Sequence, residues 1–159
     1  MNTKFDALWD ESPVDITKEA NDIWSIANKL RNAYMPDHYG DVIIPMTVLR
    51  RFECTLESTK EAVIKKFEEN PNYPDKGFRK LSGYQFYNTS RYDLRELCND
   101  PDALAENFKA YINSFSVNVK NIFIGLELEK QIDTMNKNGC LYSVVKAFSE
   151  YDLSPATFD

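Results

Sequence analysis

Five cations and five aromatic side chains share twenty positions of this 159-residue chain: Lys76, Arg79, Lys80, Arg91 and Arg95 with Phe78, Tyr84, Phe86, Tyr87 and Tyr92, against the single acid Asp93. Ammonium and guanidinium groups neutralise phosphates, tyrosine hydroxyls donate to phosphate oxygens, and aromatic faces stack on bases or sugars. The rest of the chain is acidic. Nine Lys+Arg face fourteen Asp+Glu before Lys76, and five face ten after Arg95, so the segments carry −5, +4 and −5 within an overall net charge of −6. That balance argues against a surface that is basic all over, and fits a body that meets nucleic acid at one place. The competing reading is an ordinary loop whose aromatics enter the core and whose cations pair with acidic neighbours. The candidate DNA- or partner-contact residues are Lys76, Arg79, Lys80, Tyr84, Tyr87, Arg91 and Arg95. A smaller pair, Arg50-Arg51, sits on a helical pattern where neighbours point about 100° apart, so a solvated edge with an internal salt bridge is expected rather than a phosphate clamp.

Other chemistries find no footing. The glycines, Gly40, Gly77, Gly83, Gly125 and Gly139, have neither the dinucleotide-binding nor the phosphate-loop spacing. The lone His38, in Pro36-Asp37-His38-Tyr39-Gly40, has no nucleophile motif near it and reads as a turn-side or capping residue. Cys54, Cys98 and Cys140 are odd in number and widely spaced, which fits reduced thiols and neither a disulfide framework nor a zinc site. The carboxylate pairs Asp10-Glu11 and Glu68-Glu69 lie in charged surroundings, without the burial that acid–base work requires. Asn70-Pro71-Asn72-Tyr73 resembles the Asn-Pro-Pro-aromatic tetrapeptide of amino-group DNA methyltransferases. Its third residue is Asn, however, and it closes a helical pattern instead of a strand, so it reads as coincidence. No catalytic constellation, cofactor loop or metal cluster is expected in this chain.

The elements that would position the basic segment read as helices. Ser12-Pro13-Val14-Asp15 has the form of a helix start, followed by the stripe Ile16, Ala20, Ile23, Trp24, Ala27, Leu30 and Tyr34. From Asp41 to about Leu56, Val42, Met46, Leu49, Phe52 and Leu56 share a face that Ile43, Ile44 and Val48 broaden, as expected of a central helix. Pro45 is tolerable there if the helix begins near Asp41 or Val42. A charged helix over about Ser58 to Glu69 follows. Later helices are marked by Leu104, Phe108, Tyr111, Ile112 and Phe115, by Ile122, Phe123 and Leu126, by Leu128, Ile132 and Met135 before Asn138-Gly139, and by Leu141, Val144, Val145 and Phe148. The expected architecture is a single all-α domain over residues 1–159, with about seven or eight helices and a small irregular or β-hairpin insertion near residues 77–90. The longest apolar run, Val42 to Met46, cannot cross a bilayer, and MNTKFDALWDESP has no apolar leader core, so a cytoplasmic protein without membrane contact is expected.

An ordered set of strings carries a family resemblance: Ile23-Trp24-Ser25-Ile26-Ala27-Asn28-Lys29-Leu30-Arg31, His38-Tyr39-Gly40-Asp41-Val42-Ile43-Ile44-Pro45-Met46 through Leu49-Arg50-Arg51-Phe52, Tyr87-Asn88-Thr89-Ser90, Tyr111-Ile112-Asn113-Ser114-Phe115-Ser116, and Tyr151-Asp152-Leu153-Ser154-Pro155. From about Trp9 to Asp159 the chain resembles the N-terminal helical domain of the methylation (M) subunit of bacterial type I restriction–modification systems. The resemblance implies a parent subunit that continues past residue 159 into a domain that binds S-adenosylmethionine and methylates adenine N6. It implies as partners a specificity (S) subunit, a second M subunit, a restriction subunit and double-stranded DNA. The helical domain would help close the assembly on DNA, with no catalytic residue and no cofactor of its own. The alternative is a free-standing helical adaptor that binds only proteins, with an exposed apolar groove and no dependence on DNA.

Overall fold

The computed structural model describes residues 17–153; the helix start expected at Ser12–Asp15, and Ile16, lie outside them. Among the described residues there are eight helices of eight residues or more, a ninth of one turn, and no strand. The first, α1 (Thr17–Leu30), buries Ile26 and Leu30 but leaves Ile23 and Trp24 in solvent, Trp24 at 68% exposure. The stripe read from the sequence is thus only partly the packed face: Ala20, Ile23 and Trp24 on it are exposed, and Ile26, outside it, is buried on the side that α9 covers. A 3₁₀ turn, Pro36–His38, leads into α2 (Gly40–Leu56), which buries Val42, Pro45, Met46, Leu49 and Leu56 and packs on α8 and α9. Because α2 starts at Gly40, Pro45 falls in its second turn, where its missing N–H deprives only the Asp41 carbonyl of a helical partner. Ile44 stays exposed, so the apolar collar expected around the first turns is incomplete.

A 3₁₀ turn, Glu57–Thr59, joins α2 to α3 (Lys60–Glu69), which buries Val63 and Ile64. Beyond the Asn70–Pro74 loop comes α4 (Asp75–Ser82), closed by Gly83 at φ +80°, a left-handed cap that glycine adopts without a Cβ penalty. The segment expected to be irregular or a hairpin thus begins as helix. Its second half, Tyr84 to Asn88, is irregular and does not pair with itself. It meets residues 114–116 in a single antiparallel bridge, Asn88 to Phe115, with Ser116 N donating to the Tyr87 carbonyl at 2.9 Å and Thr89 N to the Ser114 carbonyl at 3.0 Å. The one-turn helix α5 (Leu94–Leu97) is capped by Asp93, whose Oδ1 accepts from Glu96 N at 2.7 Å.

The remaining chain forms α6 (Leu104–Asn113), α7 (Val117–Gly125), α8 (Leu128–Lys137) and α9 (Leu141–Ser149). Of their periodic apolar positions, Leu104, Phe108, Tyr111, Ile112, Phe123, Leu128, Ile132, Met135, Leu141, Val144, Val145 and Phe148 are buried, as is Phe115 just beyond α6, whereas Ile122 on α7 is exposed and Leu126 at its end half-buried. The buried positions share one core with α1, α2 and α5. Transfer from water contributes roughly 1.5–3 kcal/mol for each such large side chain, which makes this core the source of the fold's stability.

Candidate nucleic-acid interface

Helix α4 turns its apolar side inward through Phe78, whose ring lies 6.4 Å from Phe67, 5.3 Å from Tyr73 and 5.0 Å from Tyr87, the last nearly stacked. Gly77 makes room for this, because a Cβ there would sit 2.3 Å from Tyr73 Cε1. With Phe78 inward, the helical spacing sends Lys76 and Lys80 outward one turn apart. Both are exposed, and among the described residues neither ammonium has an ion-pair partner. An open cleft beside them is lined by Asp75, Arg79, Gly83, Tyr84 and Gln85 as well as the two lysines. Tyr84, 41% exposed, follows the left-handed Gly83 turn.

Arg79 faces the same cleft but is engaged. Its Nε lies 2.8 Å from Asp75 Oδ2, and its Nη1 donates to Gln85 Oε1 at 3.3 Å. Tyr87 lies beneath, with its hydroxyl donating to Asp75 Oδ1 at 2.7 Å. Burial, and then that contact with Asp75, pushes the phenol up to about 12, so it remains a neutral donor already committed to Asp75. Arg91 joins α3 instead, donating from Nε and Nη2 to the Glu68 carboxylate at 2.6 and 2.8 Å, with Glu61 3.6 Å from Nη1. This forked pairing holds the Glu68 carboxyl below its usual range and the Arg91 guanidinium above its own. Arg95, on α5, is exposed and lines a different cleft with Arg50, Glu53, Glu57, Lys60 and Asp93. The structure thus gathers Lys76, Arg79, Lys80 and Tyr84 at one opening, places Tyr87 under it, and sends Arg91 and Arg95 elsewhere. Two of the five cations are neutralised by acidic neighbours, as the ordinary-loop reading expects, while Lys76 and Lys80 have no ion-pair partner among the described residues.

The element that sequence reasoning missed supports this surface from behind. Glu53 is 7% exposed and accepts from three donors: Arg50 through an ion pair, Tyr111 Oη at 2.7 Å and Leu94 N at 2.9 Å. Burial raises its carboxyl above the usual range, opposed by the Tyr111 hydrogen bond and then by Arg50. Lys60 donates to the Tyr92 carbonyl and stands 5.2 Å over the Tyr111 ring, and burial lowers its ammonium. Together Glu53 and Lys60 fasten the end of the segment that carries Tyr84, Tyr87 and Arg91. The available signal was the i,i+3 spacing of Arg50 and Glu53, which matches the internal salt bridge expected there, although the Arg50 side chain, only 16% exposed, is not the solvated edge expected with it. Arg50 Nε also donates to the Tyr151 carbonyl and Arg51 Nη1 to the Leu153 carbonyl, both at 2.7 Å, so the pair fixes the segment that leaves α9.

The remaining polar candidates have structural partners. His38 Nδ1 lies 3.0 Å from Asp41 Oδ2 at the exposed start of α2, a turn-side role as expected. Cys54, Cys98 and Cys140 are free, and burial pushes all three thiols up. No group of three or more metal-ligating side chains forms among the described residues. Tyr73 of the methyltransferase-like tetrapeptide packs on Phe78 with Lys66 4.8 Å over its ring, a structural use of that aromatic. No helix among the described residues is long and apolar enough to cross a membrane. In comparisons with known proteins, the family model described as the HsdM N-terminal domain matches residues 20–148. No curated protein and no solved structure matches the chain.

Proposed function

Since this chain belongs to the HsdM N-terminal domain family, the N-terminal domain of the type I restriction–modification methylation subunit, we propose that it is the assembly and DNA-clamping domain of a site-specific adenine-N6 methyltransferase. The family match over residues 20–148 carries this reading. In it, the domain helps hold double-stranded DNA and contacts the specificity subunit and the second M subunit, with a restriction subunit joining the assembly in the cytoplasm of a bacterium. It contributes no catalytic group. S-adenosylmethionine serves the whole subunit: this chain has no glycine-rich loop to cradle it, so no step is assigned to these residues through that cofactor.

Two features of the surface support the two halves of the proposal. For DNA, Lys76 and Lys80 lie on adjacent turns of α4, close enough to meet neighbouring phosphates, with Tyr84 beside them as a hydrogen-bond donor or stacking face. Such contacts are independent of base sequence, consistent with a sequence choice made by another subunit. For assembly, Ile23 and Trp24 project from α1, and Val117, Ile122 and Ile124 from α7, with Ile124 72% exposed. Helix α7 has one charged residue, Lys120, in nine. Exposed apolar side chains gathered on one short helix are expected where a second surface covers them.

The test uses the methylation–specificity assembly reconstituted with the full subunit. Lys76→Glu with Lys80→Glu should weaken DNA binding and flatten the dependence of log affinity on log salt by about 1.8, at about 0.9 for each phosphate that is no longer neutralised. Unchanged affinity with an unchanged slope sinks the DNA half of the proposal.

A further inference from the structure

The cleft beside α4 holds three cations, but one of them is held by an acid in the first turn of the same helix. Asp75 uses both carboxylate oxygens: Oδ2 lies 2.8 Å from Arg79 Nε, and Oδ1 accepts from Tyr87 Oη at 2.7 Å. Gln85 Oε1 accepts a hydrogen from Arg79 Nη1 at 3.3 Å, while the buried Nε meets Asp75 at ion-pair distance without hydrogen-bond geometry. The carboxylate itself is about half exposed, with Lys76 next in sequence and Lys80 on the following turn. A polyanion approaching the two free lysines therefore meets a fixed negative charge at the cleft edge and an arginine whose charge is already paired. We propose that Asp75 is an attenuating residue of the DNA-contact surface, which keeps Arg79 out of the phosphate-binding set and limits α4 to the two contacts of Lys76 and Lys80. This rests on the reading of the α4 face as a DNA-contact surface. An attenuated, sequence-independent grip suits a clamp that must release and move along DNA while another subunit searches for its site.

The geometry fixes the sign of the effect. Removing the carboxylate frees the Arg79 guanidinium, a fork suited to phosphate oxygens, and deletes a repulsive charge. Asp75→Asn is close to isosteric and keeps an amide oxygen to accept from Tyr87. Asp75→Ser removes the carboxylate with a different shape, so agreement between the two separates charge from local packing.

The experiment measures the affinity of the reconstituted assembly for a nonspecific DNA duplex across a salt series. Asp75→Asn and Asp75→Ser should each tighten binding several-fold at low salt and steepen the slope by about 0.9, the increment for one more neutralised phosphate. In an Arg79→Ala background, Asp75→Asn should no longer steepen it. Thermal melts of each variant confirm that the domain is folded. If Lys76→Glu with Lys80→Glu weakens binding while both Asp75 variants leave affinity and slope unchanged or lower, the attenuation is wrong and the DNA surface stands. Steepening that persists without Arg79 also overturns the proposal, since the released cation would not be the arginine. If the lysine and the aspartate variants are all without effect, the DNA-contact reading fails and the attenuation falls with it.

Discussion

Replacing Glu53 by alanine takes away the acceptor of three donors at once. It leaves the Tyr111 hydroxyl, completely enclosed between α6 and α2, without its 2.7 Å partner, and strips the ion pair from Arg50, whose side chain is only 16% exposed. Breaking a buried ion pair from one side costs about 3–5 kcal/mol, because the remaining charge stays desolvated. Arg50 keeps its bond from Nε to the Tyr151 carbonyl, which places the expected loss near 3 kcal/mol, toward the low end of that range. For a chain of this length each kcal/mol moves the melting temperature by roughly 2–4 °C, so a fall of about 6–12 °C is expected. Glu53→Gln keeps the volume but sets an amide hydrogen against one of three donors, and should cost about 1–3 kcal/mol. Urea unfolding of the wild type, both variants, Tyr111→Phe and the Glu53→Ala/Tyr111→Phe pair measures these losses and their coupling. Because Leu94 N loses its acceptor as well, its amide should exchange faster with solvent than those of the core of α6. A loss below about 1 kcal/mol for Glu53→Ala would refute the reasoning, since it would mean that the network costs as much to bury as it returns.

Two further predictions concern the surface and the acid limb. Val117→Glu with Ile124→Glu should abolish or strongly weaken assembly with partner subunits while leaving the melting temperature of the domain within a few degrees, because both side chains already face solvent; size-exclusion chromatography with the partners checks it, and unimpaired assembly removes α7 from the interface. The two perturbed glutamates should have opposite pH signatures. Glu68, held low by Arg91, contributes stability that is present above its unfolded value and lost as pH falls through its folded value. Glu53, raised by burial, contributes stability that is full below its unfolded value and lost as pH rises through its folded value. Urea midpoints across pH for Glu68→Gln and Glu53→Gln should therefore flatten opposite sides of the profile, and flattening on the same side contradicts the assignment.

The helices that periodicity revealed are those long enough to repeat a face. Met46 and Leu49 on α2, Phe108 and Ile112 on α6, Ile132 and Met135 on α8, and Val144 and Phe148 on α9 recur at helical spacing and are buried as expected. Helix α4 was hidden because eight residues give Phe78 too few repeats to define a face, and Gly77 reads as a breaker until the Tyr73 ring is seen lying across it. The four residues of α5 rest on tertiary contacts, among them the hydrogen bond from Leu94 N to Glu53, forty-one positions away. On α1 the stripe was partly misplaced: Ala20, Ile23 and Trp24 are exposed and Ile26, which the stripe left out, is buried, because only the packing of α9 decides which side of this helix is covered.

The basic surface divides in the same way. Counting charges located it, and the i,i+4 spacing of Asp75 and Arg79 was a local pair that sequence alone could have offered. The pairing of Arg91 with Glu68 closes across twenty-three residues and a loop, so nothing local distinguishes it from Lys76 and Lys80, which have no ion-pair partner among the described residues. A charge count therefore overstates what a polyanion meets. Of the five cations between residues 76 and 95, Arg79 and Arg91 are paired and Arg95 lines another cleft, which leaves Lys76 and Lys80 as the two without an ion-pair partner at the α4 cleft among the described residues. If the salt dependence of DNA binding followed the count instead of the geometry, charge reversal at Arg91 would flatten the slope as much as reversal at Lys80. The geometry requires that it flatten the slope less, because the Arg91 charge is already compensated by Glu68.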